Sequence, residues 1–179
     1  MRIQPWEVGS LPPAEKICSY EELPELINGN SGLKRHAHSL VLAQGVFDIL
    51  HLGHFQYLQR AAKYGLVIVG VENDDCVRAN KGPERPINSL PERMLALAAL
   101  DNVSLVFGFN DIVQYDDPQA FDRYVARYKF LDIPVAIPDD SNRPQKMRQA
   151  AAAEVGMLPI PGHIPNSTTQ MLKKVGFSE

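Results

Sequence analysis

The sequence predicts an α/β fold: a Rossmann-like arrangement of five parallel strands with helices on both faces. Three observations carry this. Five short apolar runs recur after residue 39, and none alternates polar with apolar, as strands covered on both faces require. Segments with helical spacing, about 10–14 residues long, separate them. Right-handed crossovers between such strands then place helices on both faces. Finally, the stretches richest in His, Lys, Arg and hydroxyls follow directly after strands, at the edge where ligands bind in such sheets.

The elements follow in order. Residues 1–38 read as an N-terminal extension with a short helix, and 39–179 as the main domain. "PWEVGSLPPAEK" is rich in Pro and Gly and reads as loop. Ser19 with Glu22 forms a capping-box pattern that predicts a helix near 20–27. "NGNSGLKRHAH" reads as loop. "SLVLAQG" is the first strand, and "HFQYLQRAAKYG" the first crossover helix, ending in Gly65. "LVIVGVEN" is the second strand. "LPERMLALAALDN" is a helix with Pro91 tolerable in its first turn. "SLVFGF", "DPQAFDRYVARYKF", "IPVAIP", "RPQKMRQAAAAEVG", "MLPIPG" and "STTQMLKKVG" continue the alternation of strand and helix.

Bulk properties bound the function. At 179 residues the chain suits one domain with a substantial core. Hydrophobic content of 45% and charged content of 22% are those of a globular protein. A formal net charge of −3 gives no bulk reason to expect nucleic acid or an anionic membrane as partner. The two cysteines, Cys18 and Cys76, have no metal-like spacing and read as free thiols of a reducing compartment. The first residues hold no apolar core of signal-peptide type, and no run of about 18 apolar residues occurs. A cytoplasmic protein with no membrane span is therefore expected.

"GVFDILHLGH", residues 45–54, leaves the first strand and opens the first crossover helix. Gly45 allows a tight exit, and Gly53 lets a ligand approach the backbone. A helix start offers unpaired N–H groups and the positive end of the dipole, so it favours phosphate. His51 and His54 could donate to phosphate oxygens there, most strongly when protonated. They could equally be surface residues at a helix start. Zinc is disfavoured, because the helical motif spaces its histidines four apart with a Glu beside the first. "NKGPERPIN", with Arg78 and Arg93 nearby, is basic and follows the second strand. It suits phosphates, or is a solvated loop balanced by Asp74, Asp75, Glu84 and Glu92. "NSTTQ" opens the last helix, either as a plain N-cap or as an anion cradle. All three stretches fall on one edge of one sheet, which favours a shared phosphate site.

"GVFDILHLGH", "VENDDCVRANKGPERPIN", "ERMLALAALDNVSLVF" and "STT" together resemble the cytidylyltransferase-like nucleotidyltransferases, well over residues 16–115 and moderately over 155–175. "KGPERPIN" is similar to the branch that makes ADP-heptose from heptose 1-phosphate. The resemblance implies a Mg2+-dependent reaction, the ion bound mainly through the nucleotide phosphates. A phosphate oxygen of the acceptor attacks the α-phosphorus of a nucleoside triphosphate in line, and pyrophosphate leaves. No covalent intermediate forms, so positioning and charge stabilisation carry the catalysis.

On the matching positions the resemblance implies His51, His54 and Lys81 as catalytic residues. Gly45, Val46, Phe47, Asp48, Gly53, His54, Arg93, Asp139, Ser167, Thr168 and Thr169 would bind the nucleotide. Asp74, Lys81 and Arg85 would bind the acceptor, Asp48 would also help fix its loop, and a homodimer is implied. One segment departs. Where the heptose branch reads like "VKGGDY" after the fourth strand, this chain reads "VAIPDDS". The leading expectation is transfer from ATP to a sugar phosphate such as heptose 1-phosphate. CTP-dependent transfer to glycerol 3-phosphate or a similar polyol phosphate is the alternative. A non-catalytic nucleotide-binding module is the rival from another class.

Overall fold

The computed structural model describes residues 12–29, 40–114, 118–139, 143–163, 171–172 and 174. Its strands are β1 (Ile17–Cys18), β2 (Leu40–Gly45), β3 (Leu66–Val71), β4 (Leu105–Gly108), β5 (Val135–Asp139) and β6 (Met157–His163). Its helices are α1 (Leu23–Gly29), α2 (Leu52–Ala61), α3 (Asp74–Lys81), α4 (Leu90–Ala98), α5 (Pro118–Leu131) and α6 (Arg143–Ala152). The strands form one parallel sheet in the order β1-β4-β3-β2-β5-β6. The α/β prediction holds, with six strands in place of five. Ile17 and Cys18, from the segment read as an extension, pair with Val106 and Phe107 at the sheet edge. Two residues are too short a run to show any periodicity.

β2 and β3 are the central pair, in register from Leu40 with Leu66 to Gly45 with Val71. Their continuous apolar character follows from cover on both faces. On one side Val41, Ala43, Val67 and Val69 pack on Tyr57, Leu58 and Ala61 of α2 and on Met94, Leu97 and Ala98 of α4. On the other side Leu40, Leu42, Ile68 and Phe107 pack with Leu23 of α1, Cys76 of α3, Leu131 of α5 and Ala150 of α6. Gly70 has a steric reason: a Cβ there would lie 2.6 Å from the Phe109 ring and 2.9 Å from that of Phe107.

Chain connections fix where a ligand can sit. The chain leaves β2 towards β3 and leaves β5 towards β6, in opposite directions along the sheet. The crevice between the carboxyl ends of β2 and β5 is therefore the topological switch point. α2 and α6 stand on opposite faces beside it.

Two local features differ from expectation. Asp74–Lys81, for which no helix is predicted and whose last two residues open the basic stretch "NKGPERPIN", is helix α3. Asn73 caps it by accepting from the Cys76 N–H at 2.8 Å, acids fill the first turn, and Arg78 and Lys81 fill the last. Gly82 ends it at φ 93°, the left-handed region open to glycine. The Ser19–Glu22 capping box forms as expected, with Ser19 N–H donating to the Glu22 carboxylate at 2.8 Å, ahead of α1. That helix runs two residues further than predicted, to Gly29. Both cysteines are free. No helix among the described residues is long and apolar enough to cross a membrane.

Candidate active site

The turn from β2 into α2 passes through a backbone that few residues adopt. Phe47 has φ 51°, which a bulky L-residue takes up only under constraint from its surroundings. Its ring is buried beside Gly45, where a Cβ would meet it at 3.1 Å. The same ring lies 5.1 Å from that of His54. Gly45 and Phe47 thus shape the wall behind the histidines.

His51 is the N-cap of α2, and its Nδ1 accepts from the Gly53 N–H at 3.1 Å. A neutral His51 therefore carries its proton on Nε2, which leaves that atom as the donor. The two imidazoles stack, with centroids 3.8 Å apart and planes 23° from parallel. His54 Nδ1 is buried and has no hydrogen-bond partner. Burial pushes the His54 pKa down to about 3, helped by the positive charge of His51, Lys81 and Lys146. Burial also lowers that of His51. Without ligand, both rings are neutral at pH 7. The sequence reading had them donating most strongly as cations; in this pocket the protonated form needs an arriving anion.

This gives a measurable pH dependence. An unfolded histidine takes up a proton below about pH 6.5, and folded His54 does not until about pH 3. Its contribution to stability is complete above pH 6.5 and is lost as pH falls through this window. Between pH 6.5 and 5 the loss is about 2 kcal/mol. Urea unfolding at pH 7 and 5 should show this loss in the wild-type protein and only a smaller one, from His51, in His54→Gln. Equal losses in both would contradict the assignment.

Asp48 holds the two loops of the site together. Its buried carboxylate accepts from Arg85 Nε at 2.9 Å, from the Ile87 N–H at 3.0 Å and from the Asn88 N–H at 2.9 Å. Its carbonyl accepts from Asn88 Nδ2 at 2.6 Å. Arg85 is 5% exposed. Nη2 lies 2.9 Å from Asp48, yet neither it nor Nη1 makes a hydrogen bond. Those buried N–H groups are donors in want of an acceptor.

Arg93, expected at a phosphate, is placed differently. It is 1% exposed and donates to Asn88 O at 3.0 Å, Val46 O at 2.6 Å, Glu72 O at 2.8 Å and the Asp74 carboxylate at 2.6 Å. The guanidinium thus clips the exits of β2 and β3 to the start of α4. Asp74, expected to bind acceptor, is its ion-pair partner. Lys81 is exposed at the end of α3, close enough to act electrostatically on His54. Asp139, at the end of β5, pairs with Arg143 of α6 at 2.7 Å. Ser167, Thr168, Thr169 and Asp140 lie outside the described residues.

A second polar cluster, absent from the sequence reading, stands behind the site. Glu72 is 1% exposed and follows β3. It accepts from Gln44 Nε2 at 2.5 Å and from Arg127 Nη1 at 3.3 Å, and Cys76 Sγ donates to it at 3.2 Å. Arg127 also binds Asp111 at 2.7 Å and lies 4.1 Å over the Phe109 ring. Glu72 carried a faint signal, an acid ending an apolar run. Arg127 carried none, because a basic residue in an amphipathic helix normally faces solvent.

Among the described residues, no group of three His, Cys, Asp or Glu side chains could hold a metal ion. The donors around the crevice are cationic or neutral: His51, His54, Lys81 and Arg85. Such a set fits an anion, and fits a divalent ion only as one carried on phosphates.

Known proteins match this arrangement. The cytidylyltransferase-like family model matches residues 42–151. The bifunctional protein HldE of Nitratiruptor sp. is 42% identical over 106 residues, covering 59% of this chain and 22% of that protein. HldE of Methylococcus capsulatus is 43% identical over 96 residues, covering 53% of this chain and 20% of that one. The chain thus spans about a fifth of the length of these relatives. Among solved structures, a lipopolysaccharide core biosynthesis protein from Thermoplasma volcanium aligns at TM-score 0.53 with 24% identity, over 69% of this chain and 97% of that one. A pantoate-beta-alanine ligase from Francisella tularensis aligns at TM-score 0.55 with 13% identity, over 86% of this chain and 68% of that one. These likenesses show the fold. The family match spans both strands of the switch point and the whole histidine turn, and on it the chain belongs to the cytidylyltransferase-like family.

Proposed function

We propose that the chain transfers a nucleoside monophosphate, from ATP, to a sugar phosphate such as heptose 1-phosphate and releases pyrophosphate. The observation that carries this is the neutral, stacked His51–His54 pair at the start of α2, beside the switch-point crevice and Arg85. The nucleotide enters as its Mg2+ complex, with the ion on the phosphates. A phosphate oxygen of the acceptor forms a bond to the α-phosphorus. The bond from that phosphorus to the α,β-bridging oxygen breaks, and its electron pair leaves with pyrophosphate.

The chain's part is positioning and charge. His51 Nε2 and His54 donate to oxygens of the α-phosphate as charge builds there. Arg85, whose Nη1 makes no hydrogen bond, and the ammonium of Lys81 hold the acceptor phosphate. Asp48 and Arg93 act one step back, fixing the loops that present these donors. Ser167, Thr168 and Thr169 cradle the β and γ phosphates in this reading, and a cytoplasmic homodimer remains part of it. The ATP and heptose 1-phosphate pairing rests on the resemblance of "KGPERPIN" and on the HldE relatives. The departing segment "VAIPDDS", which spans β5 and the two residues after it, favours a second reading, cytidylyl transfer to glycerol 3-phosphate or a similar polyol phosphate.

Pyrophosphate release from ATP, CTP, GTP, UTP and dTTP, each with a panel of sugar and polyol phosphates and Mg2+, separates these readings. Turnover with ATP and heptose 1-phosphate is expected. A preference for CTP would sink the ADP-heptose assignment. Nucleotide binding without turnover of any pair would leave only a binding module.

A further inference from the structure

One cation near the histidines belongs to no motif. Arg143 Nη1 bonds Asp139 at 2.7 Å and so pins the start of α6 at the exit of β5. The face of α6 turned to the sheet is marked by Gln149, Ala150 and, just past its end, Ala153, all buried. Lys146 stands three residues before Gln149 and four before Ala150, on that same stripe. A helical side chain leans towards the N-terminus of its helix, here the end above the strand exits. Lys146 is only half-buried, so its ammonium can stay in water while its stem covers the crevice.

Across that crevice stands His54. α2 lies on the opposite face of the sheet from α6, and both start beside the carboxyl ends of the paired strands β2 and β5. Lys146 and Lys81 are the two lysines whose charge reaches His54, one from the β5 side and one from the β3 side. Two cations converging on a half-buried neutral ring disfavour its protonation. The same convergence of positive charge over the strand ends attracts a phosphate chain.

We propose that Lys146 is a phosphate-binding residue, reaching from α6 over the crevice between β2 and β5 to hold the polyphosphate chain of the nucleotide against the His51–His54 pair, opposite Lys81. This deepens the nucleotidyltransferase reading and rests on it. The segment between β5 and α6 has no lysine of its own, and Lys146 supplies a cation to that side of the site.

Calorimetric binding of inorganic tripolyphosphate tests the idea apart from catalysis. Lys146→Met should weaken binding about tenfold or more, the effect of one charge-assisted contact. Lys146→Arg should stay within about threefold of wild type. Lys129→Met, on the exposed face of α5, changes net charge equally and should leave affinity unchanged. Thermal unfolding checks that each variant is folded. Wild-type affinity in a folded Lys146→Met protein, or no tripolyphosphate binding by the wild-type protein, would overturn the proposal. Absence of turnover with every nucleotide and acceptor would defeat the reaction assignment and leave this binding measurement standing.

Discussion

His54→Ala should lower turnover by about 100-fold or more while the protein stays folded. Removing one donor aimed at developing charge typically costs about 2.7–4 kcal/mol of barrier. The pocket makes that range apt. His54 is half-buried, its ring lies against those of His51 and Phe47, and its buried Nδ1 has no competing partner. A donor held in this way needs no reorganisation when the α-phosphate gains charge. Nucleotide affinity should fall much less than turnover, because the interaction strengthens in the transition state. Steady-state pyrophosphate release together with equilibrium nucleotide binding reads both quantities. Turnover near wild type would refute the role. A loss confined to nucleotide affinity would make His54 a binding residue only.

Asp48→Ala should be among the most damaging changes to stability. It strips Arg85 of its ion-pair partner, and Arg85 is 5% exposed. It also removes the acceptor of the Ile87 and Asn88 N–H groups. Leaving a buried charge unpaired costs about 3–5 kcal/mol. For a chain of this size that lowers the melting temperature by roughly 10 °C. Asp48→Asn keeps the shape and one acceptor, so it should lose less. Asp48→Leu with Arg85→Met replaces the pair by apolar groups and should recover much of the stability without recovering activity. A cost under about 1 kcal/mol for Asp48→Ala would mean that water reaches Arg85 and that the ion pair is not sealed.

The buried network of Glu72, Gln44, Arg127 and Asp111 supports the same frame from behind. The Glu72 carbonyl receives Arg93 while its carboxylate receives Arg127. One residue therefore ties α5 to the clip that shapes the histidine turn. Its charge is balanced inside the protein, as a buried carboxylate requires.

Much of this was legible from sequence. The five longer strands follow from apolar runs that are covered on both faces. The Ser19–Glu22 capping box is a local hydrogen-bond pattern and formed as read. α3 carries local signals as well: Asn73 at the cap, acids next and Gly82 at the end. β1 carries none, because two residues pair only when β4 offers an edge.

The site divides along the same line. His51 at an N-cap, with Gly53 following, is settled by neighbours in sequence, and so is the phosphate-favouring character of that turn. Whether a basic residue faces a ligand or the protein is settled by residues far away. Arg93 and Arg85 look alike in sequence. Yet Arg93 donates to Val46, Glu72, Asp74 and Asn88, while Arg85 is held by Asp48 through Nε and Nη2 and its Nη1 makes no hydrogen bond. Lys146 sits in an unremarkable helix, and only the sheet order β2-β5 brings it opposite His54. By itself the sequence determined the five longer strands and the Ser19–Glu22 capping box, because these depend on residues within a few positions of each other. The tertiary structure alone decided which charges are buried and paired, because partners far apart in sequence, such as Asp48 and Arg85 at a separation of 37, meet only after the sheet has formed.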